Sequence, residues 1–192
     1  PYPIGIPNHA QGCRLRLRDG SAAADRVFSF FGDGIYEWSE SLGNWRTIYV
    51  TGPTTIQPYR WTFGYLAGIM YFCHPATGIL TYGIDSDVCL PLAVAGMPSE
   101  PLAIIVNNGR LCSIDDVFFA WSGPGDGLDW TPRLGGAGVQ QINAQVAGFP
   151  IMISGYARGT LTWTTGGVMR SEFTGDAAVF RHRAVNTEFR PI

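Results

Sequence analysis

A chain of 192 residues has room for one domain and can bury about 70% of its unfolded surface, so it needs neither a metal nor a disulfide to hold a core. Charged residues make up 15% and aromatics 13%, with 25 glycines and 13 prolines, a composition that suits an all-β protein with many turns and with surface to bury against other chains. The net charge of −2 gives no global signal for nucleic acid, no apolar run reaches the ~20 residues of a membrane-spanning helix, and no charged-then-apolar leader precedes the first elements.

Residues 1–12 (PYPIGIPNHAQG) hold three prolines and two glycines and read as an extended arm. In the next segment Arg14, Arg16 and Arg18 alternate with Leu15 and Leu17, so a strand there places three guanidinium groups on one face. That face is either an ordinary solvated one or a basic surface turned toward DNA phosphates or an acidic partner. Four similar units follow. The first, 27–45, turns at Gly32-Asp33-Gly34; the second, 61–82, turns at Leu66-Ala67-Gly68 and again at Ala76-Thr77-Gly78. The third, 102–131, turns at Asn107-Asn108-Gly109 and at Asp115-Asp116; the fourth, 150–170, turns at Ala157-Arg158-Gly159 and at Thr165-Gly166-Gly167. Marked by Gly34, Gly78, Asp116 and Gly167, the units step by about 40 to 50 residues, the period of a four-stranded blade. The expected fold is all-β: blade-like antiparallel repeats forming a small or partial β-propeller. Residues 1–24 are expected to form an arm and a basic strand, and 25–192 the β-repeat domain. Residues 136–147 (GAGVQQINAQVA) fit one short helix or turn.

Few residues have the pattern of a catalytic set. His9, His74 and His182 lie far apart and near no recognisable motif, and no nucleophile elbow, phosphate loop or dinucleotide fingerprint occurs. Asp115, Asp116, Asp126 and Asp129 cluster around one unit, and Asp85 and Asp87 around another. Paired acids of this kind can hydrolyse glycosides, but each Asp also stands where a turn needs a side-chain acceptor for its own backbone. Cys13, Cys73, Cys89 and Cys112 lack the close spacing of a zinc site and read as reduced, buried small hydrophobes. The chain is therefore expected to be no enzyme and to need no cofactor or metal.

One stretch resembles a known family. Asn108-Gly109-Arg110-Leu111, then Trp121-Ser122-Gly123-Pro124-Gly125-Asp126, then Asp129-Trp130-Thr131-Pro132 is similar to a blade of the β-propeller nozzle or tail-tube proteins of short-tailed bacteriophages. The later Gly166-Gly167-Val168, Phe173-Thr174-Gly175 and Val179-Phe180 resemble the next blade. The resemblance implies a structural virion protein, made in the host cytoplasm. It would stand in a ring of copies of itself, commonly a hexamer, with portal or adaptor and fibre proteins as neighbours. Packaged DNA would pass its axial channel without sequence specificity, and Arg14, Arg16 and Arg18 would face that DNA or a partner chain. Family members are several times longer, and four units are the minimum for a closed propeller, so the repeats either close within one chain or are completed by assembly. The alternative is a carbohydrate-binding or receptor-binding propeller, with Trp38, Trp45, Trp121 and Trp130 as stacking platforms.

Overall fold

Short apolar runs separated by residues that tolerate positive φ can only fold back on themselves, and they do so here four times over. A computed structural model describes residues 11–16, 25–39, 42–51, 60–83, 85–142 and 145–186. Sheet 1 contains β1 (Gln11–Arg16), β2 (Asp25–Phe30), β3 (Gly34–Ser39) and β4 (Asn44–Val50). Sheet 2 contains β5 (Thr62–Leu66), β6 (Ile69–His74), β7 (Gly78–Gly83) and β8 (Leu90–Pro91). Sheet 3 contains β9 (Ala103–Asn107), β10 (Arg110–Ile114), β11 (Phe118–Trp121) and β12 (Gly138–Gln141). Sheet 4 contains β13 (Pro150–Tyr156), β14 (Gly159–Thr164), β15 (Gly167–Phe173) and β16 (Phe180–Asn186). Each is an antiparallel meander with its strands in sequence order, and there is no α-helix among the described residues. Two of the two-residue hairpins turn at Ala67-Gly68 and Asn108-Gly109, where both residues have positive φ (50° and 83°, 48° and 67°). That geometry matches the twist of the strands it joins.

One expectation is corrected in part: of residues 136–147, expected as a short helix or turn, Gly138–Gln141 is instead β12, paired along β11 from Phe118↔Gln141 to Trp121↔Gly138, and no helix occurs among the described residues there. Pairing with a neighbouring strand outweighs a weak helical pattern, and only a turn follows, with the amides of Gln145 and Val146 both donating to Ile142 O. The strand expected within residues 1–24 is β1, which pairs with β2 from Gln11↔Phe30 to Arg16↔Asp25. In that register Arg14 stands opposite Val27. The side chains of β1, residue Arg18 and the arm at 1–10 lie outside the described residues.

Alternation along the strands gives each sheet two faces, and consecutive sheets pack face to face. Phe28, Phe30 and Ile35 of sheet 1 meet Met70, Phe72, Leu80 and Tyr82 of sheet 2. The other face of sheet 2, with Leu66, Tyr71 and Cys73, meets Ile104, Leu111 and Ala120 of sheet 3. The other face of sheet 3, with Cys112, Ile114, Phe119 and Trp121, meets Ile153, Met169 and Phe180 of sheet 4. Burying each such side chain contributes about 1.5–3 kcal/mol.

The first strands β5, β9 and β13 lie side by side where the sheets converge. Gly64 of β5 is needed there, since a Cβ would sit 2.6 Å from Val106 Cγ2 of β9. The amide of Ile104 donates to Thr62 Oγ1 at 2.9 Å, and Asn107 Nδ2 donates to Tyr156 O at 3.1 Å. Among the described residues no core joins sheet 4 to sheet 1, so the array is open and its two end faces carry no sheet.

Candidate functional site

The stretch at 107–132 was the strongest sequence signal, and its residues hold a long loop in place. Asn108 and Gly109 make the β9–β10 turn, and the amide of Gly125 donates back to Gly109 O at 2.7 Å. Arg110 is only 4% exposed. Its guanidinium donates to the carbonyls of Ser122, Gly136 and Gly135, each at 2.8 Å, and burial lowers its pKa from the ordinary value. Ser122 Oγ accepts from Leu111 N at 3.0 Å, and Trp121 Nε1 donates to Gly136 O at 3.1 Å. Pro124 and Asp126 lie on the exposed tip, where Asp126 accepts from Leu128 N. Trp130 is 2% exposed and donates from Nε1 to Gly127 O at 2.9 Å. Asp129 pairs with Arg133, which holds its carboxyl below the usual range. The loop fills the space over Tyr71 of sheet 2, whose hydroxyl would lie 2.4 Å from a Cβ at Gly127. A buried arginine that spends itself on three carbonyls is a bolt for a loop, with little left for a ligand.

Trp121 and Trp130 are therefore buried and do not form platforms, a correction to the carbohydrate-binding expectation: each ends its strand or loop inside an inter-sheet core. Trp38 and Trp45 differ. They lie half-buried on sheet 1, ring centroids 5.6 Å apart, edge to face.

The candidate acids serve local structure. Asp115 Oδ1 accepts from the amides of Val117 and Phe118 at 2.7 and 2.6 Å, and Asp87 pairs with Arg46 at 2.9 Å. Asp85 and Asp116 are exposed. No group of three or more His, Cys, Asp or Glu is placed to hold a metal among the described residues. Burial pushes the thiols of Cys73, Cys89 and Cys112 up to about 12, a range in which a thiol is a poor nucleophile at neutral pH. His9 lies outside the described residues; His74 is buried and its Nδ1 accepts from Ala76 N at 3.0 Å.

His182 lies against Phe119 and Trp121, 2.9 Å from Ser171 Oγ, and burial lowers its pKa from 6.5 to about 4. The unfolded chain thus binds this proton more readily than the folded one. Stability should fall as pH drops from about 6.5 toward 4. Urea titrations across that window should show a slope that His182→Gln flattens.

A polar cluster that the sequence did not reveal joins sheets 1 and 2. Glu37 is 5% exposed on β3, on the same face as Ile35. Its Oε1 accepts from Arg26 Nη1 at 3.0 Å; its Oε2 accepts from Arg46 Nε at 2.9 Å, Arg46 Nη2 at 2.7 Å and Tyr82 Oη at 2.7 Å. Arg26 also lies over the Tyr82 ring, 5.6 Å from its centroid. Burial and the Glu37 carboxylate push the Tyr82 hydroxyl up to about 12, and the same carboxylate raises Arg46. The one available signal was a carboxylate at a core position of an aromatic strand.

The two end faces are the remaining candidates. Register places Tyr36, Trp38, Trp45 and Thr47 together on the free face of sheet 1. It places Met152, Leu161, Trp163, Arg170, Arg181 and Arg183 on the free face of sheet 4. There Glu172 accepts from Arg183 at 2.6 Å and lies 3.6 Å from Arg170; these cations hold its carboxyl below the usual range. Arg170 and Arg183 stand directly opposite each other, an arrangement that is destabilising unless neutralised.

No helix among the described residues is long and apolar enough to cross a membrane. What the geometry offers is an array of blade-like sheets with two apolar, partly charged ends; no protein-family model matches the chain, and no curated protein matches it.

Proposed function

We propose that the chain is a structural component of the tail of a short-tailed bacteriophage, a blade array that works by assembling. One observation carries the reading. The stretch that resembles a tail propeller is spent on holding sheet 3 and its loop, while the two apolar end faces are left for neighbours. Its partners are other copies of itself in a ring and the portal or adaptor and fibre proteins of the tail. Packaged DNA passes without sequence specificity, and Arg14, Arg16 and Arg18 supply the positive charge for it.

Two experiments test the reading. Labelled chain should be located in the tail of assembled particles; its absence from particles would sink the proposal. Reversing the charge of Arg14, Arg16 and Arg18 should release packaged DNA while particles still assemble. If assembly fails first, those arginines face a protein.

A second reading, a carbohydrate-binding module, is favoured by the half-exposed Trp38–Trp45 pair alone. A glycan array without a hit would remove it.

A further inference from the structure

The three inter-sheet cores follow one rule. Each sheet offers one face forward to the next sheet and receives the previous sheet on the other. Sheet 1 offers Phe28, Phe30 and Ile35; sheet 2 offers Leu66, Tyr71 and Cys73; sheet 3 offers Cys112, Ile114 and Phe119. By the same rule the forward face of sheet 4 carries Met152, Leu161 and Trp163, and the receiving face of sheet 1 carries Tyr36, Trp38 and Trp45. Among the described residues these two faces are uncovered, and each has the place in its sheet of a face that is buried in the three existing interfaces.

We propose that the forward face of sheet 4 docks on the receiving face of sheet 1 of a second copy of this chain, head to tail. The inference rests on the assembly part of the proposed function and names its contact surface. The chemistry of the two halves fits. On sheet 4, Arg170 and Arg183 share the carboxylate of Glu172, and Arg181 stands opposite it in the register. On sheet 1 they meet the rings of Trp38 and Trp45, good partners for guanidinium groups. Asp33 accepts from Tyr36 Oη at 3.0 Å at the other end of β3. Two sheet 4 faces docked on each other would set these arginines against their own copies, which opposes a symmetric pairing through that face.

A head-to-tail contact closes into a ring or runs on as a filament. Two chains of four sheets make eight, within the four to eight blades that propellers commonly hold. The smallest closed ring is therefore a dimer in which two open arrays complete one propeller.

The test uses the 192-residue chain in native mass spectrometry and sedimentation. The expected species is twice the monomer mass. Met152→Glu and Thr47→Arg change exposed positions on the two faces and should leave the monomer folded, as read by circular dichroism, while removing any dependence of the melting temperature on protein concentration. Each variant alone should weaken self-association at least about tenfold. Mixed together, they should form a heterodimer through their one intact pair of faces. A wild-type chain that stays monomeric, or a Thr47→Arg variant that assembles as the wild type does, overturns the proposal. A dimer formed by a chain that is absent from particles would remove the tail function and leave this contact standing; a monomer found in particles would do the reverse.

Discussion

Glu37→Ala is expected to destabilise the fold by about 3–5 kcal/mol, the range for removing one partner of a buried ion cluster. The carboxylate accepts four hydrogen bonds from Arg26, Arg46 and Tyr82. Without it two guanidinium groups remain close together over Tyr82, in a gap that alanine does not fill. Arg46 keeps Asp87, whose side chain is 90% exposed and therefore screened by water. At about 2–4 °C per kcal/mol for a chain of this size, the melting temperature should fall by on the order of 10 °C. Glu37→Gln retains the volume and some of the hydrogen bonds, so it should cost less. An alanine variant within about 1 kcal/mol of wild type in urea titration would mean that water reaches the cluster and the sheets are held by Phe28 and Phe30 alone.

Trp121→Ala should cost about 3–5 kcal/mol, the range for truncating a large aromatic side chain in a core. The ring is 7% exposed and lies 5.7 Å from Phe119 and 5.3 Å from Phe180, centroid to centroid. Gly138 on β12 leaves room for it; a Cβ there would come within 2.4 Å of the indole. The change therefore opens a cavity between sheets 3 and 4 and frees the loop bolted by Arg110. Trp121→Phe keeps most of the contact and loses only the bond to Gly136 O, which Arg110 still occupies, so it should recover most of the stability. A near-neutral alanine variant would show that this end of the array is not a packed core.

The parts of the fold that were legible in the sequence are the local ones. Gly34, Gly78, Asp116 and Gly167 each stand at the central hairpin of one sheet, because a tight turn needs particular residues at particular positions. The burial of charge was not legible. Glu37 is buried because Tyr82, 45 residues away, closes over it, and no local pattern encodes that meeting. The tryptophans divide for the same reason. Trp121 ends a strand of a sheet with neighbours on both faces and Trp130 lies in the loop that follows it, whereas Trp38 and Trp45 lie on the outward face of an end sheet. The strands look alike, and only the order of sheets separates a core residue from a contact residue.

That order has a consequence for how the chain comes to be folded. Every named strand pairs only with its neighbours in sequence, and each core joins one sheet to the next. The closure entropy of most steps is therefore that of a short connection, the long loop between β11 and β12 excepted. Folding can advance from one end like a zipper, with sheet 2 as the template for sheet 3 and sheet 3 for sheet 4. The newest sheet always presents a sticky face, and sheet 4 retains that face when the zipper stops.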